Sequence, residues 1–317
     1  MVNSQRRDLI RRLSKRVESV HSATYFARPV GEAIAGTGVT HPSAIYFAGR
    51  AAPLGRVPAS VVAATFYSFN PAYIRRFVPE CWDTAAPETV HAARLAGVEQ
   101  FLAGAFGPEA PGGRSPELPA LAQHLVDALD PVLTALLPDG RTLFAAHQEA
   151  LAPGVQAQDP AVQPFLDLWS AATLLREYRG DGHIGALITH DLSGLEAIVL
   201  HCLTGTSFRP SAARKSRGWS EEEWNAAVES LRERGLVLGA GDEARITDEV
   251  AALREEIEQA TDASVALSWE ALSDERLAEL DGQAKDFAKI LVAQGAFPQK
   301  LFATGSGLTS REQADRA

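Results

Sequence analysis

Cysteine is scarce in this chain. Only Cys81 (PECWD) and Cys202 (VLHCLTG) occur, far apart and each in apolar company. Neither has a C-x-x-C partner or secreted-type spacing, so the expectation is two reduced, buried thiols in a cytoplasmic protein. No run of about 18 apolar residues is present, which argues against a membrane-spanning helix. Positive charge is in deficit: 30 Lys and Arg against 40 Asp and Glu leave a formal net charge of −10. That is the wrong sign for a protein held on phosphate by counterion release. Also missing are a Walker loop, a G-x-G-x-x-G after a strand, H-E-x-x-H, G-x-S-x-G and paired C-x-x-C sites. Their absence argues against nucleotide-driven, standard zinc and serine-nucleophile chemistry.

What is present is alanine- and leucine-rich sequence with a helical period, cut by Gly/Pro breaks. The 317 residues suffice for one large domain or two ordinary ones. The N-terminal stretch MVNSQRRDLIRRLSKRVESV is basic and amphipathic, with Leu9, Ile10, Leu13, Val17 and Val20 at helical spacing. It lacks the apolar core of a secretory signal and reads as a first helix with a solvated arginine face. PEAPGGRSP (108–116) is the clearest linker, APGVQAQDP (152–160) a softer one, and the tail ATGSGLTSREQADRA has little to bury. The expected organisation is an N-terminal helical unit (1–107), linker and bridging helices (108–164), a C-terminal winged-helix unit (165–302) and a disordered tail (303–317).

The most legible segment is 216–258. In RGWSEEEW, Ser220 with Glu223 makes a capping box, and Trp219 with Trp224 suits a hydrophobic staple. The helix should stop at Gly235 in a left-handed cap. LVL and EARI flank a hairpin tip at Gly241-Asp242, and Thr247 can cap a further helix. Helix, hairpin, helix is a winged-helix layout. A vaguer copy spans IYFAGRAAPLG, VPASVVAATFYSFN and PAYIRRFVPECW. The fold class read from these patterns is mainly α: a pseudo-duplicated winged-helix (helix-turn-helix) architecture with short β-hairpin wings.

The segments GRAAPLG, AATFYSFNP, LREYRGDGH, RGWSEEEWNAAVESLRERGLV and LREEIEQATD resemble actinobacterial helix-turn-helix proteins of the SalK-like type, across residues 20–300. That resemblance implies a winged-helix fold. It carries no assigned reaction, so it supplies no catalytic residues. The last segment is also similar to the stretch after the wing in MarR-type regulators, although TDEVAALREE lacks the glycine these often carry after Thr-Asp.

A recognition helix sets its first residues against bases and phosphates. Here those are Ser220, Glu221, Glu222, Glu223 and Asn225, and like charges brought together at such an interface repel by roughly several kcal/mol. Arg232 and Arg234 lie at the far end, where they suit the helix dipole. Nucleic acid is therefore not the expected partner. The alternative, a MarR-like transcriptional regulator sensing a small ligand, would use the basic loop 208–218 with Arg209, Arg214, Lys215 and Arg217.

The charged stretch LLREYRGDGHIGAL sits between apolar runs. Gly180 is placed to end a helix, which would put Arg179, Asp181 and His183 at a helix–helix corner, with Asp181 capping the next helix. In that role the residues are simply structural. In a pocket between two halves, Asp181 or Glu177 would orient His183 as an acid/base, while Arg176 or Arg179 clamps an anion. Arg50 in GRAAPLG must be paired or bind something, given its apolar surroundings. Tyr67 and Asn70 join it as candidate ligand contacts, and Tyr46, Tyr67 and Tyr73 as candidate aromatic lining. His183 with Asp181 or Glu177 is too small a set for a metal unless His41, His147, His190 or His201 joins it, and no cofactor is signalled. The expected function is binding or transforming a small organic molecule, in an actinobacterial specialised-metabolism setting. A homodimer is compatible with it.

Overall fold

Helix formation follows the apolar spacing and the caps. The computed structural model describes residues 4–108, 110, 115–239 and 244–308. The first helices are α1 (Ser4–Ser22), α2 (Arg28–Ala35), α3 (Pro42–Ala51), α4 (Ala59–Thr65) and α5 (Pro71–Arg75). Next come α6 (Cys81–Thr84), α7 (Pro87–Phe106), α8 (Leu118–Thr134), α9 (Thr142–Leu151) and α10 (Gln163–Thr189). The last are α11 (Gly194–Leu203), α12 (Pro210–Ser216), α13 (Glu221–Glu233), α14 (Asp248–Ala263) and α15 (Asp274–Ala293). Among the described residues the one sheet is an antiparallel pair, β1 (Val237–Leu238) with β2 (Arg245–Ile246), in the register Val237↔Ile246. The protein is thus mainly α, with a helix-turn-helix and a small hairpin wing. No single described helix is long and apolar enough to cross a membrane.

The chain gathers into two compact units. Unit 1 comprises residues 1–57, 77–182 and 262–296, and unit 2 comprises 58–76, 183–261 and 297–317. In unit 1, α1 packs along α15, and α2 along α7. Ile10, Leu13, Val17 and Val20 form the buried face of α1. Its arginines depart from the expected solvated face. Arg11 pairs with Asp262 at 2.7 Å, Arg16 with Asp281 at 2.5 Å, and Arg6 donates to the carbonyls of Trp269 and Leu272 at 2.7 Å. Those carboxylates lie some 250 residues away in sequence, so periodicity could not reveal them.

The expected helix end at Gly180 is also corrected, because α10 runs unbroken from Gln163 to Thr189. A Cβ at Gly182 would fall 2.3 Å from Ser264 Oγ and 2.6 Å from Arg141 Nη1. This glycine admits a close neighbour instead of stopping a helix.

In unit 2, α11, α12 and α13 precede the hairpin. Ser193 and Ser220 each make a complete capping box, with Glu196 and Glu223. Gly235 takes φ 72°, the left-handed conformation that ends α13. Trp224, Val228, Leu231, Val237 and Val250 are buried together, with Trp219 packed against the cluster. The hairpin tip at Gly241-Asp242, most of the linker 108–116 and most of the tail lie outside the described residues. The region expected to hold a second winged-helix copy contains helices α3 to α6 and no described strand. Cys81 and Cys202 are both buried and free.

Candidate functional site

The interior of unit 1 holds an unusual density of polar side chains. Glu177 on α10 is 1 % exposed and meets Arg176 in an ion pair of 2.5 Å. The remaining Glu177 oxygen, Oε1, lies 3.8 Å from His21 Nε2 and accepts no hydrogen bond from the described residues. Thr173 donates its hydroxyl proton to the Trp169 carbonyl at 2.8 Å, so His21 Nδ1 must be the donor in its 2.8 Å contact with Thr173. His21 Nε2 therefore carries a lone pair, which accepts from Tyr25 Oη at 2.6 Å. On α3, the buried Arg50 donates to Tyr46 Oη at 2.9 Å and lies over the rings of Tyr25 and Tyr46.

A second part of the same interior comes from α7 and α9. Arg94 is 2 % exposed and lies 5.3 Å from the Trp169 ring centre. His147 Nδ1 donates to the Leu143 carbonyl at 2.9 Å, leaving Nε2 to accept from Arg94 Nη1 at 3.3 Å. His91 lies one turn before Arg94 on α7.

Burial and charge set the protonation states. Burial lowers His21 well below the usual histidine range, against the opposing pull of Glu177. Burial likewise lowers His147 and His91 to about 4, helped by Arg94. All three imidazoles are neutral at pH 7. For Glu177, burial pushes the carboxyl up, but Arg176, Arg50 and the histidines outweigh it, so it falls far below the carboxylate range. Burial pulls Arg94 down and nothing fully restores it. The result is a carboxylate and three guanidiniums held amid neutral rings.

Of the residues singled out in the sequence, Arg50, Arg176 and Glu177 come together here. Asp181 does not cap a following helix, because α10 runs on through it. Its Oδ2 accepts from the backbone N–H of Leu143 and Phe144 at 2.9 Å, capping α9. Arg179 pairs with Asp262 at 2.9 Å, the same carboxylate that holds Arg11. His183 belongs to unit 2, where its Nδ1 meets Thr261 Oγ1 at 2.9 Å. Asp181 thus serves the fold of unit 1, and His183 sits with the threonine, not a carboxylate, in the contact seen. Tyr67 and Asn70 also lie in unit 2. Tyr67 donates to the Leu192 carbonyl at 2.6 Å. Asn70 caps α5 through Ala72 and donates to Glu223. Tyr46 belongs to unit 1, but Tyr67 and Tyr73 to unit 2. Arg94, His91, Tyr25 and Trp169 were missed. The available signal was an arginine inside the apolar helix HAARLAGV, the same signal that singled out Arg50.

Unit 2 presents the helix-turn-helix surface. The exposed positions of α13 include Glu221, Glu222, Asn225, Glu229, Arg232 and Glu233, so its outward face is acidic along its length. The basic segment before it is not a loop but the helix α12. Arg217 lies over the rings of Phe208 and Phe69, Arg209 Nε donates to the Phe302 carbonyl at 3.1 Å, and Arg214 faces Glu221 at 3.5 Å. Lys215 is exposed. Among the described residues no group of three or more His, Cys, Asp or Glu is placed to hold a metal.

Helices α11 to α13 followed by a two-stranded wing define a helix-turn-helix protein. Comparison of the sequence with known families agrees: the model of a family described as the helix-turn-helix family matches residues 10–298, and the chain belongs to that family. No curated protein matches the chain, and no solved structure does.

Proposed function

We propose that this helix-turn-helix protein binds a small organic molecule in the polar interior of unit 1 and has given up reading DNA. The observation that supports this is the buried group Arg50, Arg176 and Glu177 with His21, Tyr25 and Tyr46. Burying ionised groups is costly even when they are paired, and a helical core of this size gains nothing in stability that apolar residues would not supply. Such arrangements mark sites where function sets the composition. The acidic outward face of α13 supports the second half of the reading, since a polyanion gains nothing there.

The test is a thermal-stability screen of the full chain against small organic acids, amines and neutral aromatics. Compounds that raise Tm for the wild type should do so less for Arg50→Lys and Arg176→Lys, which keep the charge but lose the planar donor fork. Identical shifts in wild type and both variants would reject the site.

A MarR-like regulator remains the second reading, favoured by the family and by the intact helix-turn-helix and wing. Its DNA contacts would fall to Arg209, Arg214, Lys215 and Arg217. It predicts a salt-sensitive mobility shift of duplex DNA that is lost in the Arg214→Ala/Arg217→Ala double variant.

A further inference from the structure

Arg94 is the residue in unit 1 whose charge the protein leaves least compensated. It is 2 % exposed, and no carboxylate among the described residues lies within ion-pair distance of it. Its one hydrogen-bond partner among the described residues is the neutral His147, which accepts from Nη1 at 3.3 Å. Nη2 is buried and meets no acceptor among the described residues. Trp169, over whose ring Arg94 lies, has its own indole N–H buried without an acceptor. Both ring nitrogens of His91, one turn away on α7, are likewise buried without a partner. An unmatched buried donor is costly, and more so when charged. Three such groups beside one another are expensive to keep.

The same interior contains an opposite deficit. Glu177 Oε1 is buried and accepts nothing, because the nearest nitrogen, His21 Nε2, is a lone-pair acceptor occupied by Tyr25. A guanidinium with a spare N–H and a carboxylate with a spare oxygen thus coexist without pairing. Aromatic rings pack around both: Arg94 and His21 lie against Trp169, and Arg50 lies over Tyr25 and Tyr46.

Building on the small-molecule reading above, we propose that unit 1 binds a planar organic acid bearing a hydroxyl or amine donor. Its carboxylate is anchored by Arg94 Nη2 and the Trp169 N–H, and its donor is received by Glu177 Oε1. A carboxylate suits the set better than a phosphate does. The unmatched donors are few, and they lie on side chains of planar geometry. No step of bond making is implied; the residues named bind and orient.

The experiment measures Tm and calorimetric affinity of the full chain with 2-, 3- and 4-hydroxybenzoate, the matching hydroxybenzamides, benzoate and inorganic phosphate. The expected result is stabilisation by at least one hydroxybenzoate isomer, weaker binding of benzoate, and none of the amides. Arg94→Gln and Trp169→Phe should weaken that isomer about tenfold or more. Arg94→Gln should not lower the Tm of the free protein, since it removes a buried charge that lacks a carboxylate. Amides binding as tightly as acids, or Arg94→Gln binding the acids unchanged, would overturn the carboxylate anchor while leaving small-molecule binding intact. Phosphate alone reproducing an Arg94-dependent shift would overturn the organic-acid class. Failure of this panel while other compounds of the wider screen still act through Arg50 and Arg176 would reject this inference only. Failure of both would reject the small-molecule reading as well.

Discussion

Unit 1 keeps two arginines, Arg50 and Arg94, in its interior, whereas unit 2 turns carboxylates outward on α13. In unit 1, Arg50 and Arg94 are buried in the interior that also holds the buried carboxylate Glu177. In unit 2, Glu221, Glu222, Glu229 and Glu233 line the open side of α13. Electrostatics treats the two regions very differently. A surface carboxylate is solvated, screened and worth little in isolation. A buried one is coupled to every neighbouring charge. Under the proposed function, the contrast means that the shape of a helix-turn-helix and the charges it displays are separable.

Breaking the buried side should have the largest effect. Glu177→Ala leaves Arg176 and Arg50 without their interior counter-charge and should cost about 3 kcal/mol, the lower end for a broken buried pair because Arg176 retains 25 % exposure. Urea unfolding measures this, and a loss below about 1 kcal/mol would contradict the burial argument.

Acidification should probe the same interior nearly as hard. His147 has a folded pKa of about 4, below the ordinary 6.5. The unfolded chain therefore takes up the proton first, so stability is full above about pH 6.5 and falls as pH drops towards 4, by roughly 3 kcal/mol for this group. His91 and His21 act in the same direction. Glu177, whose pKa is depressed, adds to the loss at lower pH. Comparing urea midpoints at pH 7 and pH 5 for wild type and His147→Gln should show a smaller drop in the variant. Equal drops would mean that the imidazole is protonated in the native state.

A smaller effect separates scaffold from site. Asp181→Ala should cost about 1–2 kcal/mol through loss of the α9 cap, and Asp181→Asn should recover part of it. Ligand shifts measured in the wild type should survive in Asp181→Asn; their disappearance would give Asp181 a direct role. On the surface of unit 2, Glu222→Ala should change stability by no more than about 0.5 kcal/mol.

What the sequence made legible was local. The Ser220 cap, the left-handed Gly235 and the strand pair of the wing each depend on residues a few positions apart. The misreadings share one cause, a partner distant in the chain. Gly180 looked like a helix end, yet α10 continues through it to Thr189, and nothing local reveals that Ser264 and Arg141 press against Gly182 two residues on. Asp181 looked like a cap for a helix starting after Gly180, but the N–H groups it meets belong to α9. Half of the buried group was readable, since a charge in an apolar run stands out at Arg50 and Glu177. Arg94 carries the same signal in HAARLAGV and was passed over.

The central claim is that the acidic face of α13 bars DNA and leaves the interior of unit 1 as the seat of activity. Fluorescence anisotropy of a labelled duplex at low salt, with wild type and the Glu221→Lys/Glu222→Lys variant side by side, tests the first half of that claim directly. The account predicts no binding by the wild type and a salt-sensitive gain in the variant. Tight wild-type binding that the charge reversal leaves unchanged would contradict it.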